Sequence, residues 1–111
     1  NHTRDFTFID DVVWAIKKVV INPPQLQEDL VPWQIFNVGN NKPIELENFI
    51  DIIETKLNKK AVKNYTPMMP GDVISTAASI DKLNKYCGYK PTTTIEEGLT
   101  KFISWYKDYH L

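Results

Sequence analysis

Glycine is scarce in this sequence: only Gly39, Gly71, Gly88 and Gly98 occur in 111 residues, and no two stand close enough to build a phosphate-cradling turn. Within this chain that excludes both the dinucleotide fingerprint and the nucleoside-triphosphate loop, because each needs clustered glycines to bring backbone N–H groups onto a phosphate. The single cysteine, Cys87, cannot form an internal disulfide or a Cys-rich metal site. It follows Leu83 by four residues on a predicted helix and reads as a small core residue. The two histidines, His2 and His110, stand near opposite ends, fit no metal-binding pattern and read as surface residues, so no metal site is expected. A catalytic serine motif is missing, as is a paired Cys and His, which leaves nucleophilic catalysis without support. No run approaches the roughly 18 apolar residues of a membrane span, and no signal-peptide pattern opens the chain. The chain starts at Asn1 without a methionine, which leaves room for a lost upstream segment; a reducing cytoplasm is the expected location. The formal charge of −1 gives no field that would draw nucleic acid or an anionic membrane.

What is present suits a globular domain. Hydrophobic residues make up 42% and charged residues 24%, enough to bury a core without much margin at this length. Asp5 to Ile9 alternates, with Phe6 and Phe8 on one side, and predicts a short strand. Asp10 and Asp11 then occupy the positions where a helix N-cap and first turn favour carboxylates. Val12, Val13, Ile16, Val19 and Val20 follow at helical spacing until Pro23-Pro24. Trp14 lies off that stripe, which predicts contact with something outside the local core. Residues 25–32 read as a polar loop, and Ile35-Phe36-Asn37-Val38 as a short buried strand ended by Gly39-Asn40-Asn41. Leu46, Phe49, Ile50, Ile53 and Leu57 mark an amphipathic helix; residues 61–66 give a weaker strand signal.

Pro70-Gly71 centres a turn over 67–72. A short helix is predicted over about 81–87, starting near Ser79 or Ile80, with Gly88 as its C′ residue. Thr94-x-x-Glu97 is a capping box opening a helix with Ile95, Leu99, Phe102, Ile103 and Tyr106 as its apolar positions. Lys56, Lys59, Lys60 and Lys63 read as a solvated helix end, with a phosphate patch as the alternative. The order is α/β, with a few short strands and about four helices, too few strands for a dinucleotide-binding sheet.

Tyr86 and Lys90 share the Tyr-x-x-x-Lys spacing of a catalytic pair that works from one helix face. Gly88 and Pro91 make a continuous helix across them improbable on backbone grounds. Two other polar residues stand out. Arg4 precedes the first strand, where a guanidinium suits two-pronged phosphate contact, although a surface arginine is the plainer reading. Asp72 follows Pro70-Gly71, where a carboxylate suits ribose hydroxyls or simply ties up its own turn.

Four segments change the weight of these residues. Arg4-Asp5-Phe6-Thr7-Phe8-Ile9-Asp10-Asp11-Val12-Val13 resembles a segment of the extended short-chain dehydrogenase/reductases that act on nucleotide sugars. Ile35 to Asn40 is similar to the family's later strand and turn, and Pro70-Gly71-Asp72-Val73 to its substrate loop. Gly88-Tyr89-Lys90-Pro91, then Thr94 to Leu99 and Trp105-Tyr106, resemble the family's ending. Together the four cover essentially the whole chain in order, most like the UDP-glucuronate 4-epimerases and related capsule-type epimerases.

The resemblance implies that residues 1–111 are a C-terminal substrate domain, lacking the Rossmann sheet, of a larger NAD-dependent sugar epimerase. It implies a UDP-sugar ligand, with Arg4 on the diphosphate, Asp72 on the ribose and Phe6 in the pocket near the nucleotide. Met69 stands where the family often has arginine or glutamine, which removes a polar contact; Trp14 stands where a polar residue is usual. NAD would serve the intact enzyme, removing hydride from C4 of the sugar and returning it to the other face, while a tyrosine moves the hydroxyl proton. No catalytic and no cofactor-binding residue is expected in this chain, which would not epimerise alone. Its partner would be the missing N-terminal Rossmann domain, with a homodimer possible in the intact enzyme. The alternative is a free-standing, non-catalytic nucleotide- or protein-interaction module derived from such a domain.

Overall fold

The computed structural model describes residues 2–25 and 32–110. Its elements run β1 (Thr3–Arg4), α1 (Ile9–Ile21), β2 (Ile44–Glu45), α2 (Leu46–Leu57), α3 (Asp81–Cys87) and α4 (Ile95–His110). β1 pairs antiparallel with β2, Thr3 opposite Glu45 and Arg4 opposite Ile44. On its other edge Thr3 bridges Ser75 in parallel: the Thr3 N–H donates to Ile74 O (2.9 Å) and the Thr76 N–H to Thr3 O (3.2 Å). Three segments remote in sequence therefore meet at β1.

The expected strand over residues 5–9 is not one. The ladder is confined to Thr3–Arg4, and the alternating residues beyond it are extended without a neighbouring strand. Phe6 instead stacks on Phe49 of α2, ring centroids 4.0 Å apart, and Phe8 lies against Gly98 of α4. A Cβ on Gly98 would stand 3.1 Å from the Phe8 ring, so the glycine admits the aromatic. The alternation reported which side of an extended segment is apolar; the surface on that side is helical.

α1 begins at Ile9 with Phe8 as its extended N-cap and no side-chain cap, so Asp10 and Asp11 occupy the first turn rather than the cap. The apolar arc of α1 is wider than this chain covers. Ala15 is buried, with Val12 and Val19 partly so, whereas Ile9, Val13, Ile16 and Val20 form an exposed stripe with Ile16 54% and Val20 72% accessible. Residues 35–38 also differ from expectation: they form no strand, and Ile35 is 71% exposed. Phe36 alone turns inward, against the Tyr86 ring (4.6 Å between centroids) and the core. Residues 61–66 form no strand either. The polar-loop reading of 25–32 falls mostly on residues outside those described.

The helix signals read more faithfully. α3 spans the expected residues, with Ile80 as N-cap and Gly88 in the left-handed region (φ 74°) closing it. The capping box forms: Glu97 N–H donates to Thr94 Oγ1 (3.2 Å), and Thr94 N–H to Glu97 Oε2 (3.0 Å). α2 ends at Asn58, itself left-handed, and packs on α4, where Leu99 and Ile103 are buried.

The buried core joins Ala15 of α1, Leu83 of α3 and Tyr89, with Val19, Phe36, Ile80 and Cys87 packed around it. Cys87 is thus the small core-side residue its spacing suggested. The radius of gyration is 17.6 Å, against about 13 Å for a compact chain of this length. The fold is spread out, with its apolar faces only partly closed.

Candidate functional site

β1 delivers Arg4 to the edge where residues 72–76 return. Its Nη1 donates to Thr3 O (2.9 Å) and Ile74 O (3.3 Å), and its Nη2 to Asp72 Oδ1 (2.9 Å). Three of the five guanidinium N–H donors are used in this way, so the planar fork is oriented while two donors have no partner among the described residues. Asp72 is placed by the turn at Gly71 (φ 88°), which the missing Cβ permits. The Asp72 N–H donates to Met69 O (3.1 Å), and its Oδ1 also accepts the Val73 N–H (2.8 Å). The pair is only partly covered, Arg4 at 27% and Asp72 at 44% side-chain exposure.

Of the sequence-derived candidates, the fold thus brings Arg4 and Asp72 into direct contact across 68 positions. Met69 lies in the same turn with its side chain mostly exposed. Phe6 points elsewhere. It lines an apolar groove of about 490 Å³ between the 6–9 segment, α2 and α4, together with Phe8, Phe49, Ile53, Leu99 and Phe102. Arg4 and Asp72 lie outside that groove.

Asp5, which sequence reasoning passed over, ties the surroundings together. Its Oδ2 accepts the N–H groups of Asn41 (3.0 Å) and Ala78 (3.2 Å), and its Oδ1 that of Lys42 (3.3 Å). Gly39 is pressed into the same junction, where a Cβ would fall 2.5 Å from Ala78 Cβ and 2.7 Å from Asp5 Oδ2. Asp11 plays the matching part at α1. It accepts from Thr92 N, Thr92 Oγ1 and Thr93 N, all at 3.2 Å. Burial alone would push its carboxyl up, but these hydrogen bonds together hold it below the ordinary value. A clue to both was present, since an aspartate beside an aromatic or starting a helix has to find donors once it is covered.

The remaining candidates resolve as scaffold. Tyr86 donates to Asn22 O, and Gly88 ends α3 before Lys90, so the two never share a helix face. Tyr89 is fully buried and donates to Gly39 O (3.0 Å); burial, then the Asp11 and Asp5 carboxylates, pushes its phenol up, the reverse of what a proton-abstracting tyrosinate needs. Lys60 pairs with Glu54, Lys63 with Glu47, and Lys56 donates to Thr100, so three of the four clustered lysines fasten α2 to its neighbours. Trp14 is 41% exposed, with its ring 6.2 Å from that of Tyr89 and the Lys18 ammonium 5.2 Å from its centroid, so it is not packed wholly within this chain. Among the described residues no helix is long and apolar enough to cross a membrane, and no cluster of His, Cys, Asp or Glu suits a metal.

No family model matches the chain. Curated relatives do. It is 40% identical over 121 residues to the protein CapI of Staphylococcus aureus, covering 99% of this chain and 36% of the relative. It is 38% identical over 114 residues to UDP-glucuronate 4-epimerase 1 of Arabidopsis thaliana, covering 96% and 27%. The chain thus spans about a third of the length of the curated relatives it matches. Among solved structures it superposes on the UDP-glucuronic acid 4-epimerase of Bacillus cereus in complex with UDP-glucuronic acid and NAD, with a TM-score of 0.80 and 26% identity over 96% of this chain and 32% of that one. The UDP-glucose 4-epimerase of Bifidobacterium longum shares the fold with a TM-score of 0.85 at 18% identity, over 98% of this chain and 31% of that one. The few short strands, the four helices and the relatives agree: over nearly its whole length this chain is similar to about a third of UDP-glucuronate and UDP-glucose 4-epimerases, as fits a C-terminal part of an extended short-chain dehydrogenase/reductase.

Proposed function

We propose that this chain is the nucleotide-sugar-binding part of an NAD-dependent sugar 4-epimerase acting on a UDP-sugar of the UDP-glucuronic acid type. The observation that carries the reading is the Arg4–Asp72 pair, set on one open face by β1 and the turn at Gly71. A partly exposed guanidinium suits a diphosphate, whose charge can draw it from the carboxylate, and the carboxylate so released suits ribose hydroxyls. Phe6, in its separate groove, contributes apolar wall, and Met69 lends the turn a side chain without a charge. In such an enzyme the nucleotide is held firmly and the sugar loosely, so that the keto-sugar can present either face. A charged clamp at the nucleotide end supplies that division. A place in capsule or surface polysaccharide precursor synthesis, in the cytoplasm, completes this reading.

The residues present do not fit a dinucleotide. Gly39 is jammed against Asp5 and Ala78, Gly98 lies under Phe8, and Gly71 and Gly88 serve single turns. Hydride chemistry, the proton-moving tyrosine and any homodimer contact therefore fall to the rest of the enzyme. The Rossmann part would cover the bare stripe of α1 and the unpaired segment at 35–38.

The test compares the full-length enzyme with the 111-residue chain, each supplied with NAD and UDP-glucuronic acid. The full-length enzyme should form the C4 epimer, and the short chain should not. Turnover by the short chain would end the division of labour; none by the full-length enzyme would end the substrate assignment.

A further inference from the structure

The Arg4–Asp72 pair has a third member. His2 sits just before β1, fixed by its own carbonyl, which accepts the Leu46 N–H at 2.9 Å. Its imidazole is turned toward Asp72. Nε2 lies 4.0 Å from Asp72 Oδ2, sealed from solvent and without a hydrogen-bond partner among the described residues. The two oxygens of Asp72 are unequal: Oδ1 accepts from Arg4 and from the Val73 N–H, whereas Oδ2 accepts no hydrogen bond among the described residues and has the imidazole at 4.0 Å. A gap of 4.0 Å is too long for a hydrogen bond, yet a shift of about 1 Å closes it. An unsatisfied buried nitrogen beside a carboxylate oxygen with no protein donor of its own among those residues favours such a shift.

We infer that His2 is a positioning residue of this site: its imidazole retains the Asp72 carboxylate when a ligand draws Arg4 away from it. The inference rests on reading Arg4 and Asp72 as nucleotide-binding. As long as the guanidinium holds Oδ1, Asp72 is fixed. When a diphosphate recruits that guanidinium, Asp72 loses its strongest partner at the moment it must meet a ribose. His2, already aligned on Oδ2 and anchored through its backbone, then becomes the group that keeps the carboxylate from swinging into solvent. Neither its sequence position nor its residue type announced this; only the juxtaposition of β1 and the turn at Gly71 does.

The test measures binding of UDP-glucuronic acid and of its 2′,3′-dideoxyribose analogue to the full-length enzyme by calorimetry. His2→Leu should weaken the natural ligand by about three- to tenfold and leave the dideoxy analogue unchanged. His2→Gln, whose amide still donates, should recover part of the loss. In an Asp72→Ala background, His2→Leu should have no further effect. Equal losses for both ligands, a loss that persists without Asp72, or no loss with either His2 variant would overturn the inference. Should Arg4→Ala also leave UDP-glucuronic acid binding intact, the fault would lie in the nucleotide-site reading itself.

Discussion

The two sides of this chain solve opposite problems. On the side of β1, β2, α2 and α4, carboxylates are drawn inward and satisfied: Asp5 gathers backbone N–H groups from two loops, and Glu54 takes Lys60 and the Ala61 N–H. On the side of α1 and residues 35–38, aliphatic residues are left outward, from Ile9 to Val20 along one helix face, and so is Ile35. Each side thus departs locally from the usual distribution, and the reason differs on each side. A polar group enters the interior when loops with no strand of their own have donors to spare. An apolar stripe left outside marks a contact surface, which the proposed function gives to the rest of the enzyme.

The sharpest way to break this comparison is to charge the bare stripe. Ile16→Asp should lower the stability of the full-length enzyme by about 3 kcal/mol or more, since it would bury an ionised group without a partner. In the 111-residue chain the same change should stay within about 0.5 kcal/mol and reduce self-association. Urea unfolding of both proteins, with sedimentation of the short chain, reads the contrast. Equal destabilisation in the two would mean that the stripe is not a covered face.

On the opposite side, Arg4→Ala should weaken UDP-sugar binding by roughly tenfold to a hundredfold, the worth of a charge-assisted hydrogen-bonded contact. Arg4→Lys should recover only part, because an ammonium keeps the charge and loses the fork. Asp72→Ala should cost less, with ribose hydroxyls as neutral partners, and NAD affinity should hold in all three. Calorimetric titration separates them; a drop in NAD affinity matching that for the UDP-sugar would dissolve the division between the two parts.

Asp11 joins the sides, so its loss should be felt by both. Asp11→Ala strands the Thr92 and Thr93 donors and should cost about 2 kcal/mol. The pH dependence has a definite sign. The folded carboxyl titrates below its ordinary value of 3.8, so its contribution is complete above that value and is lost as pH falls beneath it. Wild-type stability should therefore fall more steeply than that of Asp11→Ala on acidification below about pH 4. Parallel acid-unfolding curves would contradict this.

The smallest expected effect sets packing against helix propensity. Gly98→Ala places a methyl 3.1 Å from the Phe8 ring, which must give by a few tenths of an ångström, at about 1 kcal/mol, while alanine inside α4 gains about 0.5–1 kcal/mol over glycine, so the thermal midpoint should hardly move. A midpoint that rises by several degrees would show that the ring has room to slide within the neighbouring groove.

How much of this was legible follows from where each signal lives. The capping box at Thr94 and the stop at Gly88 are local backbone chemistry, decided within four residues, and both formed as written. The apolar periodicity of α1 was equally plain, yet periodicity gives the direction of a face and not what lies against it. The same stripe is therefore half core and half bare. Phe6 and Phe8 alternate as a strand would, and only the presence of α2 and α4 on their apolar side made them extended packing residues instead.

By itself, the sequence determined the four helices, the stop of α3 at Gly88, the opening of α4 at Thr94, the lack of a dinucleotide turn and, through four ordered motifs, the resemblance that the relatives repeat. Tertiary structure alone decided that Arg4 meets Asp72, that His2 faces the same carboxylate, and that Asp5 and Asp11 are fasteners. The physical reason is range. Caps and turns are settled by neighbours a few bonds away, whereas a contact between residues 4 and 72 exists only because Thr3 exchanges backbone hydrogen bonds with residues 74 and 76.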